Sequence, residues 1–255
     1  MDLICDERPS DSPLVETIWR SQSDQANPFI SIADGRFSMV ITKYREKLTF
    51  TVRGPETKAT PAIGLTCAEY FGIRFRPGVF MPALPPKMLM DRNDQNPPEA
   101  GRNAFWLDGS VWQIPNYENV DIFVDWLARE GLLVYDPLVK TVLNGEPTDL
   151  SIRSVQRRFL QATGITQNSF HQIERARYAT MLLKQGFSIQ DAIYYAGYFD
   201  QSHMTRSMKY FIGLTPSQIL DQGREAPLSF LYKTIPFAKV KINQKEDNYE
   251  KISHI

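Results

Sequence analysis

The sequence has few of the residues that build metal, redox and nucleophilic sites. Its two cysteines, Cys5 and Cys67, form neither a CxxC pair nor a disulfide framework, which indicates a reducing compartment, and we expect the cytoplasm. No histidine precedes His171, so the clustered ligands of a histidine-bound metal are missing. A phosphate-binding glycine loop is absent too. We expect no metal, no cofactor and no enzyme activity, although a site built from carboxylates alone stays open.

Long apolar runs are also missing. The most apolar stretch, IFVDWLAREGLLVY, is interrupted by Asp125, Arg129 and Glu130, whereas a membrane-spanning helix needs about 20 predominantly apolar residues. The first residues, MDLICDERPSD, lack the apolar centre of a signal peptide. We therefore expect no membrane partner.

The charges cancel overall but are distributed unevenly. Residues 1–149 contain 15 Lys and Arg against 21 Asp and Glu, whereas residues 150–222 contain 8 against 4. Residues 223–255 are also basic, with 6 against 4. An acidic front and a basic back half are expected when one part of a chain meets a polyanion and the other does not.

The pattern of apolar residues changes part-way along the chain. Short β-branched and aromatic runs such as FSMVIT, KLTFTVRG and YFGIRF predict strands in the first half, arranged as a barrel or a sandwich. From Glu118 the period is helical, with Val120, Phe123, Val124 and Leu127 on one face. We predict an α+β chain with a β-rich domain at 1–115, a linking helix at 116–136, an all-α domain at 137–222 and a basic tail at 223–255.

Capping residues divide the helical domain. Ser151, Ser188 and Asp200 are predicted N-caps, and Asn168 or Ser169 is predicted to cap the long helix between the first two of these. Glycines end these helices, and Thr215–Pro216 opens a last short one.

One helical unit occurs twice. Shifting the chain by 49 residues places the cap Asp200 on Ser151, the apolar Met208 on Phe159, and the stop GLT on GIT. It also places Arg206 on Arg157. The polar face of the second copy consists of short hydrogen-bonding groups and one Arg, which is the chemistry that reads base edges. Two helix-turn-helix units joined by a long helix could address major-groove segments about 34 Å apart.

Several of these motifs carry a family resemblance. RSVQRRFLQATGIT, QIERARYATMLL, SIQDAIYYAGYFDQSHMTRSMKYF and GLTPSQI resemble the DNA-binding domain of AraC-type bacterial transcription regulators, over about residues 137–220. FGIRFRPGVF and the acidic β-rich region are similar to the cupin-like sensor domains of this family. The resemblance implies two helix-turn-helix units that bind double-stranded DNA in the major groove. It also implies that the N-terminal domain senses a small-molecule effector or forms a homodimer, with RNA polymerase as a candidate partner and activation as a candidate mode.

The resemblance assigns roles to individual residues. The base-facing residues of the first unit would be Arg153, Gln156 and Arg157, and those of the second would be Gln201, Ser202, Thr205 and Arg206, with His203 as a further candidate. Ser151, Ser154 and Lys209 are better placed for phosphate.

Other interpretations remain beside these. Gly145 and Pro147 fall where the first unit needs its supporting helix, so that unit is predicted to be truncated, with a short helix at 137–143 as a substitute. Arg157 and Arg206 could instead be surface ion-pair partners. Trp106, Trp112 and Trp126 could line an effector pocket, although packing is the simpler use. The alternative function is a protein-interaction module whose helical domain does not read DNA sequence.

Overall fold

The chain divides into a strand-rich part and a helical part. The computed structural model describes residues 4–26, 28–91 and 94–221, so the predicted tail at 223–255 lies outside the described residues. Strands dominate as far as Tyr135, and helices follow from Pro137. We call residues 4–135 the strand region and residues 136–221 the helical region. This order confirms the predicted α+β class.

The strand region is antiparallel throughout its paired strands. Five strands form the main sheet in the order β1-β2-β7-β4-β5, with β9, β10 and β11 in a second sheet. Two further pairs, β3–β6 and β8–β12, complete the region. The bounds are β1 Ile4–Arg8, β2 Val15–Ser23, β3 Pro28–Ser31, β4 Ser38–Tyr44, β5 Lys47–Arg53, β6 Thr60–Ile63, β7 Ala68–Phe75, β8 Val79–Phe80, β9 Glu99–Gly101, β10 Ala104–Leu107, β11 Ser110–Gln113 and β12 Val134–Tyr135.

An aromatic cluster fills the core of the strand region. Phe50 and Phe105 stack with their ring centroids 4.3 Å apart, and Phe123 meets both edge-on. Phe123 belongs to α1 (Val120–Arg129), whose four buried residues are those of the predicted apolar face. Because α1 is packed into this core, it is part of the strand region's interior. The domain limits at 115 and 136 stay a prediction.

The cavity beside this cluster is small. Its volume is about 170 Å³, and its lining includes Phe50, Phe105, Lys47 and Arg102. Pockets for drug-sized ligands span roughly 300–1,000 Å³. None of the three tryptophans proposed for an effector pocket lines it. Trp112 instead packs edge-on against Phe123, with ring centroids 6.1 Å apart.

Six helices form the helical region. They are α2 Pro137–Leu143, α3 Ile152–Thr163, α4 Gln167–Lys184, α5 Ile189–Ala196, α6 Gln201–Phe211 and α7 Pro216–Leu220. The predicted caps Ser151, Ser188, Asp200 and Thr215 all accept hydrogen bonds from the first turns of their helices. The predicted cap of α4 is wrong, because Thr166 holds that position and its side chain accepts from Ser169 N at 3.1 Å.

The two regions share a core. Helices α2 to α6 bury one apolar cluster, and Ile32 and Ala33 of the strand region belong to it with 1% and 0% exposure. Ile30 packs against the same cluster. A short 3₁₀ turn, Pro86–Leu89, lies against the end of α3. The helical region is therefore seated directly on the strand region.

Candidate nucleic-acid interface

Helices α5 and α6 form the second predicted unit, joined by a tight turn at residues 197–200. Ser188 and Asp191 make a reciprocal capping box at the start of α5, and Gly197 ends it with a φ of 68°. A positive φ of this kind is easily reached by glycine and costs other residues energy, so the turn depends on Gly197. The carboxylate of Asp200 accepts from His203 N at 2.6 Å and starts α6.

Tyr198 fixes the position of α6 from inside that turn. It is 6% exposed, and its hydroxyl hydrogen-bonds the Ser207 hydroxyl at 2.9 Å. The Arg175 guanidinium of α4 lies 4.7 Å from the centre of the Tyr198 ring, and the His203 ring meets it edge-on. Burial raises the pKa of the Tyr198 hydroxyl, although Ser207 and Arg175 oppose the shift. The turn thereby holds α6 against α4.

One face of α6 is buried and the other is open. Met204 and Met208 are fully buried and Phe211 is 8% exposed, as the apolar stripe predicts. The opposite face carries the predicted DNA-facing residues: Gln201, Ser202, Arg206 and Lys209 are exposed, whereas Thr205 and His203 are half-buried. Since the His203 ring packs on Tyr198, it is the least available of this set. A direct contact of these residues with DNA stays a prediction.

Helices α2 and α3 form the first unit and repeat this layout. Ser151 accepts from Ser154 N at 3.3 Å, and their hydroxyls lie 3.0 Å apart. Phe159 is buried beneath α3, and Gly164 ends it with a φ of 78°, beside 84° at the equivalent Gly213. The predicted contact residues Ser151, Arg153, Gln156 and Arg157 are exposed and Ser154 is half-buried.

The first unit differs from the second mainly in its loop. The expected truncation does not occur, because α2 has seven residues against eight in α5. Gly145 and Pro147 instead lie in the connection at residues 144–151, which is twice as long as the turn at 197–200. The predicted substitute helix at 137–143 is present as α2. Both units therefore have a supporting helix and a second helix.

Arg157 and Arg206 occupy equivalent positions and both point outward. Within residues 4–26, 28–91 and 94–221 neither forms an ion pair, whereas the neighbouring Arg158 binds Asp136. That pairing raises the pKa of Arg158, mainly through the hydrogen bond from its guanidinium to Asp136. The described residues thus give no support to a structural ion-pair role for Arg157 and Arg206, and their donors remain open to a ligand.

Phe199 is a surface residue that the sequence interpretation did not single out. It lies in the turn just before Asp200 and is 90% exposed. A large apolar side chain so open beside the start of α6 suits an apolar contact, such as the methyl group of thymine. Part of the signal was present in the sequence, since Gly197 and Asp200 of this turn are the predicted helix stop and the predicted N-cap.

Comparison with known proteins agrees with this geometry. A protein-family model described as a helix-turn-helix domain matches residues 146–222. The chain carries a helix-turn-helix domain of the AraC type. The HTH-type transcriptional regulator RipA of Corynebacterium glutamicum is 33% identical over 92 residues, which are 35% of this chain and 28% of that protein. The chain thus covers less than a third of that relative. No solved structure gave a match.

Two other classes considered from the sequence, a metal site and a membrane-spanning helix, have no candidate among the described residues. Within residues 4–26, 28–91 and 94–221, His, Cys, Asp and Glu do not cluster in groups of three that could hold a metal ion. In the same ranges, no helix combines the length and apolar character needed to cross a membrane. The AraC-type domain is therefore the site that the comparisons and the geometry both single out.

Proposed function

We propose that this protein is a transcription regulator that binds double-stranded DNA in a sequence-specific manner. The observation that carries the proposal is the pair of equivalent helices, α3 and α6. Each has short polar groups on its open face and an Arg that forms no ion pair with the part of the chain that the structure describes. In helix-turn-helix proteins the second helix of each unit enters the major groove. We therefore take α3 and α6 to be the two recognition helices.

The roles of the side chains follow from their donors and acceptors. Arg206 and Arg157 suit guanine, because a guanidinium can bond O6 and N7 together, and Gln201 and Gln156 suit adenine. Arg153, Ser202, Thr205 and His203 are further candidates for base contact. Lys209, Ser151 and Ser154 suit phosphate oxygens, which set position without reading sequence.

The rest of the regulatory mechanism is a wider proposal. A small-molecule effector, a homodimer, RNA polymerase as a partner and activation as the mode of control all rest on the family resemblance. The cavity of about 170 Å³ is smaller than the roughly 300–1,000 Å³ of pockets for drug-sized ligands, so an effector bound there would be a small molecule.

Selection of a random duplex library on the full chain tests the proposal. We expect one motif to be enriched, with two half-sites about one helical turn apart if both units read DNA. The logarithm of the binding constant should fall with the logarithm of salt concentration by roughly 0.9 per phosphate contacted. The absence of any enriched motif, together with a flat salt response, would favour the protein-interaction alternative.

A further inference from the structure

The strand region caps the C-terminal end of recognition helix α6. The last carbonyl groups of a helix have no partners within it. Here Tyr210 O accepts from Ala59 N at 2.9 Å, and Phe211 O accepts from Ala33 N at 2.8 Å. Two backbone amides from separate segments of the strand region therefore supply donors to two of these carbonyl groups.

Close apolar contact accompanies these hydrogen bonds. A side chain added at Gly213, just beyond α6, would place its Cβ 2.9 Å from Ile30 Cγ2 and 3.2 Å from Ala59 Cβ. The first distance is shorter than real Cβ contacts and the second is shorter than most of them, so the end of α6 packs directly against the strand region.

The equivalent glycine of the first unit meets the strand region too. A Cβ at Gly164, which ends α3, would lie 2.9 Å from Lys87 N and 2.9 Å from the carbonyl carbon of Pro86. Both α3 and α6 thus end in contact with the strand region. Their C-terminal ends are fixed relative to each other by the strand region as well as by α4.

A buried ion network also connects α4 to the strand region. Arg36 donates to both carboxylate oxygens of Glu174, at 2.6 and 2.9 Å, and its Nε lies 2.7 Å from Glu16 Oε2. Arg74 binds Asp34 at 2.8 and 3.0 Å. Arg177 of α4 donates to Ala33 O at 3.2 Å. The network therefore contains three carboxylates and three guanidinium groups: Glu16, Asp34, Arg36, Arg74, Glu174 and Arg177.

Contact with the strand region leaves the predicted DNA-facing sides of α3 and α6 exposed. Arg153, Gln156 and Arg157 on α3 are exposed, and so are Gln201, Ser202 and Arg206 on α6. The strand region meets both helices at their C-terminal ends, whereas helix-turn-helix proteins read bases mainly with N-terminal residues of the recognition helix. Docking of the strand region is thus compatible with DNA binding.

We infer that the strand region is a fixed support of the DNA-reading unit, with Arg36 and Glu174 as positioning residues that set the placement of α3 relative to α6. The inference rests on the proposed DNA-binding function. If the inference is correct, loss of docking lowers the affinity for a site with two half-sites much more than the affinity for a single half-site.

Three variants of the full chain test it: Glu174→Gln, Arg36→Gln and the double variant. Each single change leaves the buried network with one uncompensated charge, whereas the double change restores the balance. Breaking one partner of a buried pair disturbs the structure more than removing both. Glu69→Gln is the matched control, because Glu69 pairs with Lys43 on the exposed surface. Hydrogen exchange at the Ala33 and Ala59 amides reports docking without any DNA.

The DNA readout uses three duplexes: the selected site, the same site with five extra base pairs between its halves, and one half-site. In the single variants we expect faster exchange at Ala33 and Ala59. Affinity for the selected site should fall about fivefold or more, which is the range of typical coupling between sites. The preference of the single variants for the selected spacing should shrink, whereas their affinity for one half-site should change less than about twofold. The double variant should recover part of the lost affinity.

Other outcomes would overturn the inference. Unchanged spacing preference in a variant with faster amide exchange would show that docking does not position the helices. Tighter binding by the undocked variants would show that docking is inhibitory. Exchange that stays slow in all three variants would show that the network does not hold the regions together. If the single variants do not fold, the double variant decides: faster exchange with a smaller spacing preference supports the inference, and any other result overturns it. A wild-type chain that reads one half-site only also refutes the inference, whereas one that selects no DNA refutes the proposed function instead.

Discussion

Arg158 of α3 donates two hydrogen bonds to the carboxylate of Asp136, from Nη2 at 2.6 Å and from Nε at 3.0 Å. The same carboxylate accepts from Leu138 N at 3.0 Å and so caps α2. The backbone N–H of Asp136 donates in turn to Gly78 O in the strand region, at 2.9 Å. Asp136 thus joins α2, α3 and the strand region, although residues 144–151 separate the two helices in sequence.

Replacing Asp136 should therefore destabilise the first unit. We expect Asp136→Ala to lower the free energy of unfolding by about 1–2 kcal/mol, because the change removes a helix cap as well as the partner of Arg158. Arg158→Ala should cost less, since the Arg158 side chain is 41% exposed and its pairing is weakened by solvent. Urea unfolding followed by circular dichroism measures both. Equal losses for the two variants would show that the cap contributes nothing.

Arg206 should carry specificity at one base pair. We expect Arg206→Ala to weaken binding to the selected site by about 1–3 kcal/mol and to relax the preference at one position, because a bidentate contact with guanine is lost. Competition binding against the site and its single-base variants measures this. Arg129→Ala is the control, since Arg129 is an exposed Arg at the end of α1 in the strand region. An Arg206 variant that binds every duplex as the wild type does would remove Arg206 from the interface.

Alanine substitutions at two glycines with similar backbone angles distinguish the cost of overpacking at the contact between the regions from the cost of backbone strain. Gly213 and Gly145 have φ values of 84° and 67°, so alanine should cost roughly 1–2 kcal/mol at either from strain alone. A Cβ at Gly145 has no atom within 4 Å, whereas one at Gly213 would meet Ile30 at 2.9 Å. We expect Gly213→Ala to lower the free energy of unfolding by about 1–3 kcal/mol more than Gly145→Ala, from overpacking. Similar losses in denaturant titrations would mean that the contact relaxes without cost.

Acid should weaken the contact between the two regions. Burial alone would raise the pKa of the Asp34 and Glu174 carboxyls. The guanidinium groups around them outweigh it, chiefly Arg74 at Asp34 and Arg36 at Glu174, and hold both pKa values below the ordinary range. Both carboxyls therefore contribute stability above their unfolded pKa values, near pH 4, and this contribution is lost as the pH falls toward the lower folded values.

The slope of stability against pH tests this assignment. Each such carboxyl lowers the free energy of unfolding by up to about 1.4 kcal/mol per pH unit below pH 4. Glu174→Gln removes one of them, so its free energy of unfolding should fall less steeply with acid than that of the wild type. The comparison uses slopes between pH 5 and pH 3, because the substitution also changes the absolute stability. An unchanged slope would mean that Glu174 is not held ionised by Arg36.

The environment of Arg177, the third guanidinium in the network, disfavours its charged form, whereas the charged forms of Asp34 and Glu174 are favoured. Burial, reinforced by the neighbouring Arg74, lowers the pKa of Arg177 to about 10, although Asp34 and Glu174 oppose the shift. Arg177 is still charged at neutral pH. Its charge therefore has to be matched by the network's carboxylates, which is a further reason for the balance between three acids and three bases.

The sequence specified the local structure of the helical region well, because caps and apolar stripes act over a few residues. Two expectations were wrong: the first unit is not truncated, because α2 has seven residues, and the cap of α4 is Thr166. The 49-residue repeat contained the answer, since it places Thr166 on Thr215, the cap of α7. The open face of α6 was likewise predictable, because Met204 and Met208 fix the buried side.

The contacts between the regions were not predictable in the same way. Alternating apolar residues show that a strand buries one side, but they do not tell which core receives it. Ile32 lies next to strand β3 and yet belongs to the helical core. The partners Arg36 and Glu174 are 138 positions apart, and each alone resembles an ordinary surface charge. Long-range pairing of this kind depends on the whole fold.

The shared core has a consequence for how the chain unfolds. Residues 30–33 begin in strand β3 of the strand region, and Ile32 and Ala33 complete the apolar core of the helical region. Heat that unfolds the strand region would therefore withdraw Ile32 and Ala33 from the helical core at the same time. Calorimetry should then show a single cooperative unfolding transition, even though the sequence changes from a strand-like to a helical pattern part-way along the chain.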